Sequence, residues 1–285
     1  MITIFSNPRP FRGSFDLLQR NAIQSWLLLR PACEVILFND EENTTVRVAE
    51  EFGIRCLTDV VCDEFGTPLL DHEFTAIKKL SKYDILAHVN SDIILMSDFT
   101  ASLGSVLKTL KAEPFFMVGQ RWDLDVREPL PFSDPVWEDD LRRRSCNEGN
   151  LHPMSGMDYW VFPRTVDFDP PPFIVGRWGM DSWLVYRSRM LHIPVIDATA
   201  TITIVHQNHD YPQRKQDFFA IETNRNRELA GGYACMMGLR DADWILDEHG
   251  LRRPPFPRRI YPLLSLFYPW RMLLAIKRKI QELWT

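Results

Sequence analysis

The stretch Ile85-Leu86-Ala87-His88-Val89-Asn90-Ser91-Asp92-Ile93-Ile94-Leu95 decides the fold that we expect for this chain. Apolar residues run up to Val89, stop at the polar triplet Asn90-Ser91-Asp92 and resume at Ile93. A buried strand that ends in such a turn presents a carboxylate at the carboxyl edge of a sheet, where open α/β sheets bind ligands. Carboxylate oxygen is also a ligand that Mg²⁺ and Mn²⁺ prefer. Asp92 is therefore a candidate ligand of a divalent cation that holds a diphosphate.

Strand and helix patterns alternate around this stretch through the first half of the chain. Apolar residues at helical spacing separate the strands, with the first helix capped by Ser14 and the second closed by Gly53. Such alternation is typical of a mostly parallel sheet covered by helices, so we predict a Rossmann-like α/β fold. The predicted strands are Ile2–Ser6, Glu34–Phe38, Ile54–Leu57, Asp84–Val89 and Phe115–Gly119.

The second half of the chain is less regular. Residues 120–155 are rich in Pro, Asp, Arg and Trp and show little periodicity, so we expect a long loop that is functional or disordered. Tyr159–Phe162 is predicted as a strand, Met180–Leu191 as a helix and Pro194–Val205 as an extended segment. We expect one domain over residues 1–250, divided near residue 119.

Composition and charge exclude several classes of protein. The chain carries a net charge of −5, and general nucleic-acid binding needs a basic surface, so nucleic acid is not an expected partner. The five cysteines are scattered and form no C-x-x-C pair, which predicts reduced thiols rather than a disulfide framework or a zinc site. No signal peptide and no run of about 18 apolar residues are apparent, so we expect a cytoplasmic protein.

The C-terminal segment differs from the rest in charge. Residues 251–285 hold eight Lys or Arg and one acid, about +7, which leaves about −12 for the remainder of a chain at −5. The predicted final helix, roughly Pro269–Trp284, is basic and amphipathic. Such a helix either lies on an anionic membrane surface or packs on the body with its charges in water, and both alternatives stay open.

Four segments, in this order, resemble the nucleotide-sugar-dependent glycosyltransferases of the GT-A fold, in the broad family-two-like group. The first, Val89–Asp92, resembles the D-x-D metal motif at the end of the fourth strand, although Asn90 stands where the first Asp is usual. The others resemble the strand after the acceptor loop, the W-G-x-D segment that opens a helix under the acceptor, and the post-strand histidine. In the same order, these three segments are Ser155–Pro163, Gly176–Leu184 and Val205–Asp210.

The resemblance implies an enzyme, a hexosyl- or pentosyltransferase that moves a sugar from a nucleotide-diphosphate-sugar donor to a hydroxyl acceptor with Mn²⁺ or Mg²⁺. Residues 1–119 would bind the donor, and residues 120–250 would shape the site of a glycan or lipid-linked acceptor. Two alternatives stay open. The first is a sugar-phosphate nucleotidyltransferase, which usually carries a Gly-rich loop and a basic residue directly after the first strand; here Gly13 is the one glycine near that position, which disfavours it. The second is a non-catalytic sugar- or nucleotide-binding scaffold, for which Asn90 is the best support.

Donor-binding residues are expected where strands end. Ser6 and Asp40 follow the first two strands, which in the resembling enzymes embrace the base and ribose of the nucleotide. The triplet Asn90-Ser91-Asp92 would meet the diphosphate or ribose, and Arg121, after the fifth strand, would face phosphate or acceptor. Asp and Asn also favour turns and helix caps, so Asp40, Asn90 and Asp92 each have a structural alternative.

The resemblance makes Asp92 the direct ligand of the cation, with His206 or His209 as its partner. Imidazole is a good ligand for Mn²⁺-like ions, and a strand end can return it beside Asp92. His206 is preferred because it adjoins the predicted extended segment, with His209 close behind. The remaining histidines and the run Arg142–Arg144 are interpreted as structural or solvent-exposed; those histidines are His72, His88, His152, His192 and His249.

On the acceptor side, Asp181 is the predicted general base. It falls on the first turn of a predicted helix, where the helix dipole should keep it ionised at neutral pH, and Gly179 lets a substrate approach. A base opposite the leaving group implies inversion of anomeric configuration. Asp158 is expected to contact the sugar or acceptor, with Trp160 or nearby aromatics available to stack on sugar rings. The alternatives are a helix-stabilising role for Asp181 and a loop hydrogen bond for Asp158.

Overall fold

A computed structural model describes residues 1–111, 113–210 and 217–256, together with residues 258, 260, 272, 273 and 276. The predicted C-terminal helix at Pro269–Trp284 lies outside the described residues, apart from three positions. Within the described ranges, no helix combines the length and the apolar character needed to cross a membrane.

The strands form one large and one small sheet. In chain order they are β1 Ile2–Ser6, β2 Glu34–Phe38, β3 Arg55–Leu57, β4 Ile85–Val89, β5 Ile93–Ile94, β6 Phe116–Val118, β7 Trp122–Leu124, β8 Asn150–Leu151, β9 Tyr159–Pro163, β10 Val195–Asp197, β11 Val205–Gln207, β12 Trp244–Asp247 and β13 Gly250–Arg252. The large sheet runs β13-β12-β10-β6-β9-β4-β1-β2-β3, and only β9 and β13 pair antiparallel with their neighbours among its described strands. The predicted mostly parallel α/β sheet is confirmed.

Helices pack against both sheets. They are α1 Ser14–Leu28, α2 Thr44–Phe52, α3 Leu70–Leu80, α4 Ser97–Leu110, α5 Trp137–Glu148, α6 Met180–Met190 and α7 Asp217–Leu229. The prediction that Ser14 caps α1 is wrong, because the helix begins at Ser14 and its capping position is Gly13, at φ 56°. The prediction for Gly53 is confirmed: it ends α2 at φ 66°, and its N–H bonds the carbonyls of Ala49 and Glu50.

Residues 120–155 contain a helix where we expected a loop. Helix α5 buries Trp137, Leu141 and Ser145, one residue on each turn, while most of its other positions are charged. A stripe this narrow gives little helical periodicity, which explains why the sequence pattern missed it. The run Arg142–Arg144 lies on its polar side, as interpreted, and Arg142 bonds Glu138 at 3.0 Å.

Each face of the large sheet packs against its own hydrophobic core. Side chains alternate along β1, so that Ile4 joins the core under α1 and α4, whereas Phe5 joins the core under α3 and α6. Trp26 of α1 is fully buried and donates its indole N–H to the carbonyl of Ile93 at 2.9 Å. This bond anchors the chain directly after Asp92.

The small sheet, in the order β5-β11-β7-β8, determines which polar residues meet. Strand β11 pairs antiparallel with β5 on one side, with His206 opposite Ile93. It pairs parallel with β7 on the other side, with His206 opposite Asp123. Because Asp92 immediately precedes β5, the pairing places His206 between two carboxylates that are far from it in sequence.

Candidate metal and donor site

A cavity of about 1240 Å³ opens where β1 and β4 end and where β9 begins. Most of the predicted site residues line it. They are Asn90, Ser91, Asp92, Arg121, Asp158, Asp181, His206 and His209. The fold therefore brings together residues from both halves of the chain that the sequence analysis had assigned separately to donor, metal and acceptor.

Ser6 and Asp40 are not among the residues that line this cavity. Ser6 is fully buried, and its hydroxyl donates to the carbonyl of Val89 at 2.5 Å. Asp40 accepts hydrogen bonds at the start of α2, from the backbone N–H of Thr45 at 2.6 Å and from the hydroxyls of Thr44 and Thr45. The structure gives both side chains a structural role, and their predicted contact with the nucleotide stays a prediction.

Asp92, His206 and His209 form a compact cluster whose ligand atoms all lie within 4.8 Å of one another. The Oδ2 atom of Asp92 is 2.9 Å from Nε2 of His209 and 3.5 Å from Nε2 of His206. Its Oδ1 atom is buried and has no hydrogen-bond partner in the described part of the chain. A buried carboxylate oxygen without a partner costs free energy unless a ligand satisfies it.

This donor set fits a divalent transition-metal ion. One carboxylate oxygen and two imidazole nitrogens favour Mn²⁺ over Mg²⁺, because Mg²⁺ prefers oxygen ligands throughout. Asp92 does not cap the next helix, since α4 begins at Ser97 and its capping position, Met96, makes no side-chain capping bond. The capping alternative for Asp92 is therefore excluded by the structure.

The charges of the cluster depend on one another. Burial would raise the pKa of Asp92, but hydrogen bonds from His206 and His209 hold it well below its ordinary value. Burial would lower the pKa of His206, but hydrogen bonds to Asp123 and Asp92 raise it to about 9. At neutral pH Asp92 is thus an anion and His206 carries a proton, so a metal ion that binds both must displace the proton from the ring of His206.

A chain of polar contacts connects this cluster to the β9 side of the cavity. Asp123 Oδ1 lies 3.3 Å from Nδ1 of His206 and accepts a hydrogen bond from Nε of Arg121 at 2.8 Å. The Nη1 atom of Arg121 donates to Asp158 Oδ2 at 2.7 Å, and the amide of Asn90 donates to Asp158 Oδ1 at 2.6 Å. Asp158 therefore bonds Asn90 in the turn that follows β4, rather than only its own loop.

Asp181 stands on the first turn of α6, as predicted, two residues after Gly179. Gly179 has φ 105°, where any other residue is strained, and a Cβ atom there would lie 2.6 Å from the flexible end of Met236. Burial and the nearby charge of Asp158 raise the pKa of Asp181 to about 7, against the backbone N–H groups of Asp181 and Ser182 that lower it. The expectation that the helix terminus keeps Asp181 fully ionised at neutral pH is wrong, because desolvation outweighs it.

Two residues of the site were missed by sequence reasoning. Asp123 was not singled out, although the alternation in Arg121-Trp122-Asp123-Leu124 is a short strand signal that would have placed its carboxylate beside Arg121. His152 was interpreted as structural or exposed, yet it lines the cavity and its Nδ1 lies 2.7 Å from Oδ2 of Asp123. No sequence spacing indicated His152, because its position depends on the pairing of β8 with β7.

Trp160 does not offer a face to a sugar ring. It is 1% exposed, and its ring stacks on His88 with centroids 4.2 Å apart and an interplanar angle of 16°. The indole of Trp160 therefore has no exposed face for stacking, since the neighbouring strand covers it, and stacking by a nearby aromatic stays a prediction. Trp178 lines the same cavity and is 39% exposed, with Tyr233 edge-on at 5.2 Å.

No family model matches this chain, and no curated protein matches it. Solved structures with similar folds include glucosyl-3-phosphoglycerate synthase from Mycobacterium tuberculosis in complex with Mg²⁺ and UDP, at 13% identity and TM-score 0.46, covering 81% of this chain and 80% of that one. CMP:2-keto-3-deoxy-manno-octonic acid synthetase complexed with CTP is similar at 14% identity and TM-score 0.42, covering 79% and 99%.

The TarS 1–349 fragment from S. aureus in complex with UDP-GlcNAc is similar over 44% of this chain at 10% identity and TM-score 0.35, and the match spans 36% of that chain. At these identities and TM-scores the likeness concerns fold alone, and it carries no argument about function.

Proposed function

We propose that this chain is a glycosyltransferase that moves a sugar from a nucleotide-diphosphate-sugar donor to a hydroxyl acceptor with inversion of configuration. One observation carries the proposal: a single cavity is lined both by the cluster Asp92, His206 and His209 and by Asp181. The first set suits a cation that meets a diphosphate, and the second supplies a base. Residues 1–119 would serve the donor and residues 120–250 the acceptor.

Asp181 would start the reaction as general base. Its carboxylate takes the proton from the acceptor hydroxyl while that oxygen forms a bond to the anomeric carbon. The bond from the anomeric carbon to the diphosphate oxygen breaks, and the nucleoside diphosphate leaves with the bonding electrons. A pKa of about 7 suits this role, because a base works best when its pKa lies near the working pH.

The donor side would be held by Asp92, His206 and His209 together with the network of Asn90, Arg121 and Asp158. A divalent cation bound there would act as a Lewis acid that stabilises the negative charge of the departing diphosphate. Arg121 supplies a fixed positive charge at the cavity wall, since two carboxylates hold its guanidinium in place. Ser91 is also proposed to contact the donor, because it lines the cavity. Its hydroxyl donates to Gln19 at 2.9 Å.

A panel of nucleotide sugars tests the proposal, with UDP-glucose, UDP-N-acetylglucosamine and GDP-mannose as first probes and nucleoside diphosphate release as the readout. Each probe is measured with and without Mn²⁺. We expect Mn²⁺-dependent release with at least one donor, and loss of Mn²⁺-linked UDP or GDP binding in Asp92→Ala. Asp181→Asn should lower turnover by about 10²–10⁴-fold, the usual contribution of a general base, and leave donor affinity within about threefold.

Asp139→Asn is the matched control, because Asp139 is 80% exposed on α5 and does not line the cavity. Absence of nucleotide binding with every probe, with or without Mn²⁺, would count against the transferase, and nucleotide binding without turnover of any donor would favour the non-catalytic scaffold. Transfer of a nucleotidyl group to a sugar phosphate would favour the nucleotidyltransferase. Unchanged turnover in Asp181→Asn would remove Asp181 from the role of base.

The acceptor and the cellular position are proposals of the same kind. A glycan or lipid-linked acceptor would suit a cytoplasmic protein that touches a membrane surface through its basic C-terminal segment. We expect the whole chain to sediment with vesicles of phosphatidylglycerol but not with vesicles of phosphatidylcholine, and binding should weaken as ionic strength rises. Replacement of Lys277, Arg278 and Lys279 with Gln should reduce this binding; unchanged sedimentation would contradict the membrane contact.

A further inference from the structure

We propose that Asp123 is a positioning residue that holds the ring of His206 so that its Nε2 atom faces a cation shared with Asp92. The inference rests on the metal site of the proposed function. It concerns a residue that belongs to neither the D-x-D-like turn nor the post-strand histidine segment. Asp123 would act on the cation through His206 alone.

The two ring nitrogens of His206 face different carboxylates. Nε2 lies 3.5 Å from Asp92 Oδ2, and Nδ1 lies 3.3 Å from Asp123 Oδ1. The backbone enforces this arrangement, because His206 is the register partner of Asp123 in the parallel pair of β11 and β7. When Nε2 ligates a metal ion, the ring must be neutral and carry its proton on Nδ1, where Asp123 can accept it.

His209 shows the same arrangement with a different partner. Its Nε2 lies 2.9 Å from Asp92 Oδ2, while its Nδ1 lies 2.7 Å from the backbone carbonyl of Asp210. Metal-ligating histidines almost always use the second ring nitrogen in this way, with a carboxylate or a carbonyl that fixes tautomer and orientation. Both histidines thus point Nε2 at one carboxylate oxygen, while Nδ1 bonds a backbone carbonyl in His209 and lies at ion-pair distance from Asp123 in His206.

Asp123 is itself held from two further directions, which makes it a rigid support. Arg121 Nε donates to its Oδ1 at 2.8 Å, and His152 Nδ1 lies 2.7 Å from its Oδ2. The backbone of Asp123 is fixed as well, because β7 pairs with β11 on one side and with β8 on the other. Asp123 lies outside the group of three ligand atoms within 4.8 Å, so we assign it support rather than direct ligation.

Mn²⁺ affinity of the whole chain, measured by electron paramagnetic resonance of the free ion, tests the assignment without any turnover. Asp123→Asn preserves size and one acceptor oxygen but removes the charge. We expect the dissociation constant for Mn²⁺ to rise about 10–100-fold, the usual effect of losing such a partner. Asp139→Asn should leave it unchanged, and thermal unfolding without metal should show that the Asp123 variant is folded.

A double-mutant cycle shows whether Asp123 acts through His206. In the His206→Ala background, Asp123→Asn should weaken Mn²⁺ binding by less than about twofold, because the ring that it orients is gone. A further tenfold loss in that background would mean that Asp123 ligates the ion directly, and it would overturn the assignment. Retention of wild-type affinity in the folded single variant would overturn it as well.

The outcomes separate this inference from the proposed function. Donor turnover with Mn²⁺ binding that does not respond to Asp123→Asn leaves the transferase standing and refutes the positioning role. Absence of Mn²⁺ binding in the wild-type protein refutes the positioning role and leaves transfer without a metal ion to be judged by the donor panel. Loss of Mn²⁺ affinity in the variant, with no turnover of any donor, supports the positioning role and counts against the transferase.

Discussion

Replacing Asp158 with Asn should move the acidic limb of the pH–rate profile to lower pH. Asp181 is the group that we expect to titrate on this limb, and its pKa rises to about 7 because of burial first and the charge of Asp158 second. Arg121 opposes this rise and is present in the variant as well. We work with a fall of about one pKa unit, or about 1.4 kcal/mol, which is the effect of a like charge about 12 Å away at an effective dielectric constant near 20.

The size of the effect follows from the fraction of Asp181 that is ionised. With a pKa near 7, about a tenth of the carboxyl groups are ionised at pH 6, so the wild-type rate there should be about a tenth of its plateau. With a pKa near 6, half of them are ionised, and the variant should retain about half of its own plateau at pH 6. The relative rate at pH 6 therefore rises about fivefold, whatever happens to the plateau itself.

The assay is kcat/KM for donor turnover between pH 5.5 and 9, because kcat/KM reports the pKa values of the free enzyme. Asp139→Asn serves as the control for loss of one surface carboxylate. An acidic limb that stays at the wild-type pH, or moves upward, would show that Asp158 does not act on the titrating group. A limb that persists in Asp181→Asn would show that Asp181 is not that group.

Three further changes have expected outcomes. Folding raises the pKa of Asp181 from 3.8 to about 7, so its ionisation destabilises the folded state increasingly as pH rises from about 4 to 7. Asp181→Asn should therefore raise the free energy of unfolding, measured in urea, by about 2–4 kcal/mol at pH 8 and leave it nearly unchanged at pH 4. Gly179→Ala should lower that free energy by about 1–3 kcal/mol, because φ is 105° and the new methyl group meets Met236; unchanged unfolding would contradict the backbone assignment. Arg177 lies 2.6 Å from the carboxylate of Glu222, which is 1% exposed, so Arg177→Met leaves that buried carboxylate without its charge partner. We expect the free energy of unfolding, measured by heat or urea, to fall by about 3–5 kcal/mol, and a fall of less than about 1 kcal/mol would contradict this expectation.

The sequence predicted those parts of the fold that depend on local patterns. Strands β1, β2 and β4 were recognisable because both of their faces are buried, so that apolar residues occupy most positions on both faces. Helix α6 was recognisable from its position after Gly179. Helix α5 was not, because burial of only one residue on each turn leaves a mostly charged sequence.

The site was predictable where function resides in single residues at strand ends, and not where it depends on strand pairing. Asp92 and the two histidines follow apolar runs in the sequence, and Asp181 follows Gly179 at the start of a helical pattern. The role of Asp123 depends on the register of β7 with β11, two short strands about 80 residues apart that nothing local specifies. The protonation of Asp181 was mispredicted for a related reason, because the helix terminus is visible in the sequence whereas its burial beside Asp158 is not.

The departure from D-x-D at Asn90 has a structural explanation that leads to a last prediction. The Asn90 amide donates to Asp158 Oδ1 at 2.6 Å, and the backbone N–H of Asn90 donates to the carbonyl of Asp158 at 2.9 Å. An aspartate at position 90 would place two carboxylates at hydrogen-bond distance, where they must share a proton or repel each other. Asp158 therefore selects the amide at position 90.

Asn90→Asp should destabilise the protein more at pH 8 than at pH 5, because one of the two neighbouring carboxyl groups must stay protonated to avoid repulsion, and protonation costs more free energy as pH rises. Loss of a hydrogen bond to a charged group costs about 1.5–3 kcal/mol, and the like charge adds to this cost as pH rises. Asn90→Ala is the matched control, since it loses the bond without adding charge and its cost should not depend on pH over this range. Equal destabilisation of both variants in urea at pH 5 and pH 8 would show that charge does not determine the residue at this position. A gain of Mn²⁺ affinity in Asn90→Asp would instead show that a second carboxylate joins the cation, and that Asn90 weakens the metal site to preserve the bond to Asp158.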